Sequence, residues 1–254
     1  MNKNIGEGKS TVEGTGKLTI TITETGHEYE IENGKVIGTT ENSSGTQGGE
    51  DGTQTEEPQI GDKFRTEDYE YCYGCSYEEF EGWILSNYEG WGVRVLDTTK
   101  ETYAEIESDE IKSELKGKPI TSMRHTFKRC LNLRKAPTIP NTVIDLEETF
   151  CYCTALTESP IIPEGVRIMN SAFTGCIAMK KVSVIPSTVE LMDYTFNDCW
   201  SLEGEIEINA NPTDYGLCFM DSGSKGNGIV LKGSSTMLEE LASTKNNGKV
   251  TVAK

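Results

Sequence analysis

The chain has 254 residues and a formal net charge of −17 at pH 7, which is concentrated in its first half. Residues 1–122 carry 26 acidic and 11 basic side chains, whereas residues 123–254 carry 15 and 13. Nucleic acids and anionic membranes both need a basic surface, so the acidic half argues against them as partners. Hydrophobic residues other than Gly make up 35%, which is low for a globular chain, where roughly 45–50% apolar including Gly is usual, so part of the chain is predicted to be unpacked.

The N-terminal segments are predicted to contain little packed structure. Residues 1–15 are rich in Gly, Lys, Glu, Ser and Thr, which is typical of a flexible leader. In residues 16–38, apolar and polar side chains alternate and two turn signals follow, which predicts a separate small β-hairpin or meander module. Residues 39–59 contain no aliphatic or aromatic residue, so we expect a disordered linker.

The block at residues 60–122 is rich in aromatic side chains. The stretch Trp91–Leu96 has the pattern of a strand, and Thr102–Leu115 has apolar spacing that predicts one helix or two short ones. Repeat proteins need a non-repeating element to cover the core of the first coil. We therefore predict that this block is an α/β N-terminal cap.

From Met123 onward, a 23-residue unit is repeated four times, over residues 123–214. A fixed period of this length predicts a β-rich solenoid, in which each unit buries its apolar face only against its neighbours. The units align without a gap in four columns, which are Phe127, Phe150, Phe173 and Phe196; Cys130, Cys153, Cys176 and Cys199; Leu133, Leu156, Met179 and Leu202; and Ile139, Ile162, Ile185 and Ile208.

Each unit is predicted to contain a short helical turn and an extended segment. The Met-x-x-x-Phe-x-x-Cys spacing indicates the turn. Proline ends the extended segments because it cannot donate to a β ladder. We expect stacked parallel strands at Leu133–Ile139, Leu156–Ile162, Met179–Ile185 and Leu202–Ile208.

Residues 215–254 are predicted to form an irregular last coil with an insertion and a C-terminal cap. The segment Ile229–Leu231 aligns with Ile206–Ile208. A helix is expected at Ser235–Ser243 and a final strand at Lys249–Ala253.

The cysteines favour structural roles. Those in the repeat column are expected to be buried free thiols, because side chains in the same rotamer on successive coils point their sulfurs the same way. Cys72 and Cys75 form a CxxC, for which a local disulfide or two free thiols is favoured over metal or redox chemistry, since no further ligand pair is present. We predict no metal site and no cofactor.

The sequence supports no catalytic assignment. His125 lies in a variable column of the repeat and is interpreted as a surface side chain. No Ser/Cys–His–Asp constellation and no glycine-rich phosphate loop is apparent, so the chain is predicted not to be an enzyme. A concave pocket at which titratable side chains converge would overturn this prediction.

The candidate ligand-binding residues lie in columns that vary between units. Ile161 and Val184 would form an apolar patch if they are exposed and would belong to the core if they are buried. A neighbouring column, Lys135, Glu158 and Lys181, alternates in charge, which supports the packing between coils. The two candidate columns are Arg134, Thr157, Lys180 and Glu203, and Thr138, Ile161, Val184 and Glu207.

The unit x-x-TF-x-x-C-x-x-L-x-x-x-P-x-IP-x-x-V-x-x-M resembles the repeat of the BspA-like leucine-rich repeat surface proteins. The lead-in GWGVRVLDTTK and the later GKPITSM are also similar to segments that precede such repeats, so the resemblance covers about residues 90–254. The fourth unit departs from it, because Asn209 stands where proline is expected. The resemblance implies a bacterial cell-surface or secreted protein that acts as an adhesin or interaction scaffold, with no particular ligand.

We therefore expect a non-enzymatic surface scaffold that binds a protein or glycan on host or neighbouring cells. The alternative is a structural spacer within a larger surface protein, with no ligand of its own. No insertion into a membrane is expected, because no apolar stretch approaches the length of a span. The start, MNKNIG, lacks the apolar core of a signal peptide, which fits either a cytosolic protein or a chain whose export signal was removed.

Overall fold

The structure, a computed structural model, describes residues 57–78, 81–99, 111–243 and 249–254, and the backbone of four strands before them. Most of the predicted leader and linker lies outside these residues, as does most of the helical segment predicted at Thr102–Leu115. The described part is rich in strands and contains one α-helix.

The N-terminal segments form an antiparallel sheet of six strands. From one edge of the sheet to the other, the strands follow the order β1-β2-β3-β4-β8-β7. β4 pairs with β8 through Lys35 and Ile84, so this sheet joins the segment predicted as a separate module to the aromatic block. β1 lies within the predicted leader. The strands are β1 (Lys9–Val12), β2 (Lys17–Ile22), β3 (His27–Glu32), β4 (Lys35–Thr40), β7 (Cys75–Glu78) and β8 (Gly82–Leu85).

A second sheet has five strands in the order β10-β11-β9-β6-β5. β9 and β11 are parallel and the other pairs are antiparallel. The expected strand at Trp91–Leu96 is confirmed as β9, whereas Leu115, predicted to be helical, lies in a strand. The strands are β5 (Lys63–Arg65), β6 (Tyr69–Tyr73), β9 (Trp91–Val95), β10 (Glu114–Leu115) and β11 (Lys118–Ser122).

This second sheet packs directly on the first repeat. The ring of Tyr69 meets the ring of Phe127 edge-on, with centroids 6.2 Å apart. The hydroxyl of Thr126 donates to the carbonyl oxygen of Val93 at 2.7 Å, and the amide of Val95 donates to the carbonyl oxygen of Thr126 at 3.3 Å. Both apolar and backbone contacts therefore join the aromatic block to the repeats.

The apolar columns of the repeat form the core, as predicted. The Phe rings stack nearly parallel from Phe127 to Phe219, with centroids 5.4–5.7 Å apart. No side chain in the Phe, Cys, Leu/Met or Ile column is more than 5% exposed. A fully buried aromatic side chain contributes several kcal/mol to stability, so these columns account for much of the packing between units.

The Met-x-x-x-Phe-x-x-Cys segment is not helical, and the predicted helical turn is wrong. Alternate amides bond to the next unit instead, as in Phe127 N–H to Thr149 O (2.9 Å) and Phe150 N–H to Ala172 O (2.9 Å). The intervening amides close tight turns. An α-helix would direct each amide to the fourth residue back at negative φ. Positive φ recurs at matching positions in each unit, which are His125 and Arg129, Glu148 and Tyr152, Ser171 and Gly175, Tyr194 and Asp198, and Leu217 and Asp221.

The extended segments pair less regularly than predicted. In the first three units they form no regular strand, and their pairing includes single parallel bridges such as Glu158 with Lys181. Pro137 and Pro160 lie inside two of these segments and cannot donate to a ladder. Only the fourth segment becomes a strand, β12 (Glu203–Glu207).

The C-terminal part continues the stack. β12 pairs in parallel with β13 (Gly228–Lys232), which pairs with β14 (Val250–Val252). Ile206 lies opposite Leu231, an offset of 25 rather than 23 residues, so the insertion is confirmed but the alignment of Ile206–Ile208 with Ile229–Leu231 is wrong by two residues. The predicted helix is confirmed over α1 (Leu238–Ser243).

Candidate functional site

The two variable columns lie on the surface. We call them the repeat face, which consists of Arg134, Thr157, Lys180, Glu203, Thr138, Ile161, Val184 and Glu207. Ile161 is 81% exposed and Val184 45% exposed, so these side chains belong to the surface and not to the core. Glu203 and Glu207 are partly exposed, and the other members are exposed.

Backbone hydrogen bonds bring the first column of the repeat face together. The amide of Thr157 donates to the carbonyl oxygen of Arg134 (3.2 Å), that of Lys180 to Thr157 (2.8 Å) and that of Glu203 to Lys180 (3.3 Å). Residues joined in this way on adjacent strands lie about 5 Å apart. The column is therefore one continuous row across four units.

The second column rests on a small polar network. The amide of Ser183 donates to Oγ of Ser159 (2.8 Å), and Oγ of Ser183 donates to the carbonyl oxygen of Pro160 (2.7 Å). These bonds hold the residues that precede Ile161 and Val184 against each other. The two exposed aliphatic side chains are thus fixed as neighbours on adjacent units.

A second site, which we call the junction cavity, lies where the aromatic block meets the first repeat. It is partly open to solvent and has a volume of about 300 Å³. Its walls are formed by Tyr77, Arg94, Val95, Leu96, Asp97, Thr98, His125, Thr126, Lys128 and Arg129.

His125 lies in the wall of the junction cavity and is only 5% exposed, so its interpretation as a surface histidine is wrong. Its Nε2 lies 3.4 Å from a carboxylate oxygen of Glu78 and 3.5 Å from one of Glu148. Glu78 comes from β7, far from the repeat in sequence. The aromatic block covers the imidazole, which the pattern of the repeat did not predict.

Charged groups around the cavity are paired in a compact network. Nζ of Lys128 lies 2.6 Å from Glu148, and Arg124 pairs with both Glu78 and Glu147. The hydrogen bond with His125, together with Lys128, outweighs burial and lowers the pKa of Glu148 to about 2. The ion pairs of this network therefore keep its charged side chains in fixed positions.

A similar network fixes Arg94. Its guanidinium lies 2.8 Å from Glu70, and it covers the ring of Tyr77 with its Cζ 4.8 Å from the centroid. Burial alone would raise the pKa of Glu70, but hydrogen bonds from Trp83, Arg65 and Arg94 lower it to about 2. Glu70 is 2% exposed, so this carboxylate anchors the arginine from behind the cavity wall.

Tyr77, Asp97, His125 and Lys128 converge on the junction cavity, which is the geometry expected to overturn the non-enzymatic prediction. A nucleophile paired with a base is a further requirement. The nearby thiol of Cys151 does not fit that role, because burial raises its pKa to about 12. The non-enzymatic role stays a prediction, and any test for catalysis belongs at this cavity.

All eight cysteines are free and buried, which confirms the free thiols expected in the repeat column. A hydrogen bond between Cys72 and Cys75 raises the pKa of Cys72 and lowers that of Cys75. Within the described residues, no group of three or more His, Cys, Asp or Glu side chains is arranged to hold a metal ion.

A sequence signal for the junction cavity was available. Arg124, His125, Lys128 and Arg129 place four basic side chains within six residues of a strongly acidic chain. Tyr77, Arg94 and Asp97 gave no such signal, because they lie before the repeats, in two strands and in the loop that follows the second. Their convergence depends on the tertiary fold.

Buried columns with a 23-residue period, joined by hydrogen bonds between units, define a leucine-rich repeat protein. Residues 118–240 match, in six copies, the family model described as BspA type leucine rich repeat region. The matched residues make up slightly less than half of the chain, and the repeat region is similar to this family, which is typically surface-associated and generally non-enzymatic. Neither a curated protein nor a solved structure matches the chain. In the part of the chain that the structure describes, no helix is long and apolar enough to cross a membrane.

Proposed function

We propose that the chain is a non-enzymatic solenoid displayed at a bacterial cell surface or secreted, and that its repeat face binds a protein or glycan of host or neighbouring cells. The observation that carries this proposal is the row of exposed side chains on the repeat face, in which Ile161 is 81% exposed. An exposed aliphatic neighbour pair, rimmed by charged side chains, is the composition expected of a binding surface.

In this proposal the columns that are constant between units and the columns that vary have different roles. The buried Phe, Cys, Leu and Ile columns hold the units together and are inaccessible to a partner. The repeat face presents a basic side chain at Lys180 and an acidic one at Glu203 beside the apolar pair. Such a surface can gain specificity from charge and affinity from apolar burial.

The flanking elements are proposed to be caps. The five-stranded sheet covers Phe127 at one end of the ring stack through Tyr69. At the other end, β13, β14 and α1 follow Phe219, with Leu231, Val250 and Leu241 buried. Covered ends are required for a solenoid to stay soluble and monomeric.

The alternative is a spacer without a ligand. It is supported by the small number of exposed aliphatic residues on the repeat face, since singly exposed apolar side chains are normal on protein surfaces. Both functions use the same stacked core and differ only in what the face contacts.

A panel of purified matrix proteins and immobilised glycans distinguishes the two. The full chain is passed over each surface, and saturable binding is measured at several concentrations. The proposal predicts saturable binding to at least one member that soluble chain competes away. Failure to bind any member of a broad panel would favour the spacer.

A further inference from the structure

Four cationic side chains lie exposed on the extended segments of the first and third units. We call them the basic rows, which consist of Arg134 and Lys135 in the first unit and Lys180 and Lys181 in the third. Arg134 and Lys180 belong to the repeat face, and each is followed directly by a lysine of the neighbouring column. The chain, whose net charge is −17, therefore concentrates four positive charges on two of its units.

No carboxylate pairs with the basic rows in the part of the chain that the structure describes. The column Lys135, Glu158 and Lys181 alternates in charge, but no ion pair joins its members. By contrast, Arg124 and Arg167, elsewhere in the first two units, each pair with glutamate side chains. Among the described residues, the four cations of the basic rows are thus available to an anion from outside.

The backbone fixes the distance between the two basic rows. The amide of Thr157 donates to the carbonyl oxygen of Arg134 at 3.2 Å, and the amide of Lys180 donates to that of Thr157 at 2.8 Å. Glu158 and Lys181 form a parallel bridge. Segments joined in this way lie about 4.8 Å apart, so the first and third units are about 10 Å apart. Anionic groups spaced along an extended chain suit this arrangement better than a single small anion.

The surroundings of the basic rows suit a sugar chain better than a nucleic acid. Thr138 and Thr157 are exposed, and a threonine hydroxyl both donates and accepts hydrogen bonds. The exposed carboxylate of Glu158 comes from the unit between the rows, so it favours a ligand whose anionic groups are separated by hydroxyls. No aromatic side chain occurs in the repeat face or the basic rows, whereas proteins that bind single-stranded nucleic acids stack bases on aromatic rings.

We propose that the basic rows bind a linear sulfated glycan, which crosses the coils so that its anionic groups meet both rows. Each exposed ion pair contributes little free energy, so binding needs several contacts at once. A glycan that carries sulfates as well as carboxylates offers more of them per sugar than an unsulfated one. The acidic excess of the chain does not exclude this ligand, because residues 123–254 are close to neutral. The proposal rests on the proposed function, since it names the ligand class of the repeat face.

The test is the binding of the full chain to immobilised chondroitin sulfate. Desulfated chondroitin is the matched control for the sulfate groups, and poly(dT) is the polyanion that is not a glycan. We expect saturable binding to chondroitin sulfate and at least about 10-fold weaker binding to the other two. For four neutralised charges, the affinity should fall by about 10- to 100-fold between about 0.05 and 0.2 M salt.

Paired substitutions locate the binding. Arg134→Gln combined with Lys180→Gln removes one cation from each row and is expected to weaken binding about 10-fold or more. Arg134→Lys combined with Lys180→Arg keeps both charges and should keep binding. Lys63→Gln combined with Lys254→Gln removes two exposed cations outside the rows, so this control should bind like the wild type. All four side chains are exposed, and every variant should keep the wild-type melting temperature.

The inference is overturned if chondroitin sulfate binds no more tightly than desulfated chondroitin, or if poly(dT) binds as tightly as chondroitin sulfate. It is also overturned if the Arg134→Gln and Lys180→Gln variant binds like the wild type at an unchanged melting temperature. The proposed function is judged separately. A panel protein that binds the wild type and loses affinity for Ile161→Asp would support that function even if chondroitin sulfate does not bind.

Discussion

The thiol of Cys153 donates a hydrogen bond of 3.1 Å to the carbonyl oxygen of Phe127, one unit earlier in the stack. The same bond joins Cys176 to Phe150 (3.2 Å) and Cys199 to Phe173 (3.1 Å). The cysteine column is thus a row of donors between units as well as a row of small apolar groups. Its sulfurs point in one direction, which is why neighbouring thiols do not form disulfides.

The column itself suggests a substitution. Ser222 occupies the cysteine position in the next unit and donates to the carbonyl oxygen of Phe196. We expect Cys176→Ser to keep the bond and change the free energy of unfolding by less than about 1 kcal/mol, whereas Cys176→Ala loses it and costs about 1–2 kcal/mol. Urea denaturation measures both. A serine variant less stable than the alanine variant would show that the thiol acts only through packing.

The stack of Phe rings predicts a large effect of truncation. Phe150 lies between Phe127 and Phe173, with centroids 5.5 and 5.4 Å away, and is fully buried. Phe150→Ala should lower the free energy of unfolding by about 3–5 kcal/mol. Phe64 is 38% exposed, so Phe64→Ala is the control and should cost less than about 1.5 kcal/mol. A near-neutral shift for Phe150→Ala in the melting curve would contradict the buried stack.

The sequence predicted this stack because one residue type at a fixed period has a single simple explanation. It did not predict the backbone between the columns. The Met-x-x-x-Phe-x-x-Cys spacing is shared by a helix and by the observed turns, and the positive φ at His125 and Arg129 has no strong signal in non-glycine residues. Pro137 and Pro160, inside the extended segments, are a signal for interrupted strands that the prediction of stacked parallel strands did not take into account.

The two candidate sites also differ in how far the sequence predicted them. The exposure of Ile161 and Val184 was left open by the sequence, since an aliphatic side chain suits either face of an extended segment. The junction cavity depends on Tyr77 and Arg94, which are joined to the repeat only by the tertiary fold. The burial of His125 follows from its contact with Glu78, 47 positions earlier in the chain. A pattern within one unit carries no information on such contacts.

Glu70 predicts an acid-sensitive contribution to stability. Its pKa falls from 4.5 to about 2 on folding, so its stabilising effect is present above pH 4.5 and is lost as the pH falls toward 2. Glu70→Gln should therefore cost on the order of 2–3 kcal/mol at pH 7 and about half as much at pH 3. Urea denaturation at the two pH values measures this difference.

The exposed Glu164→Gln is the control for the acid experiment and should match the wild type at both pH values. Burial raises the pKa of Asp145 and of Glu147, so these two groups favour the folded state at low pH, opposite to Glu70. The difference between variants therefore reports on Glu70 better than the total pH dependence of stability does. An equal cost of Glu70→Gln at pH 7 and pH 3 would show that the carboxylate is not stabilised by its partners.

The most direct test of the proposed function compares two exposed aliphatic residues. Ile161 lies on the repeat face, whereas Leu131, which is 55% exposed, lies outside its two columns. Neither Ile161→Asp nor Leu131→Asp should alter the melting temperature appreciably. On the panel member that retains the wild-type chain, Ile161→Asp should weaken binding about 10-fold or more, and Leu131→Asp should bind like the wild type. Equal affinity of the wild type and Ile161→Asp would contradict the assignment of binding to the repeat face.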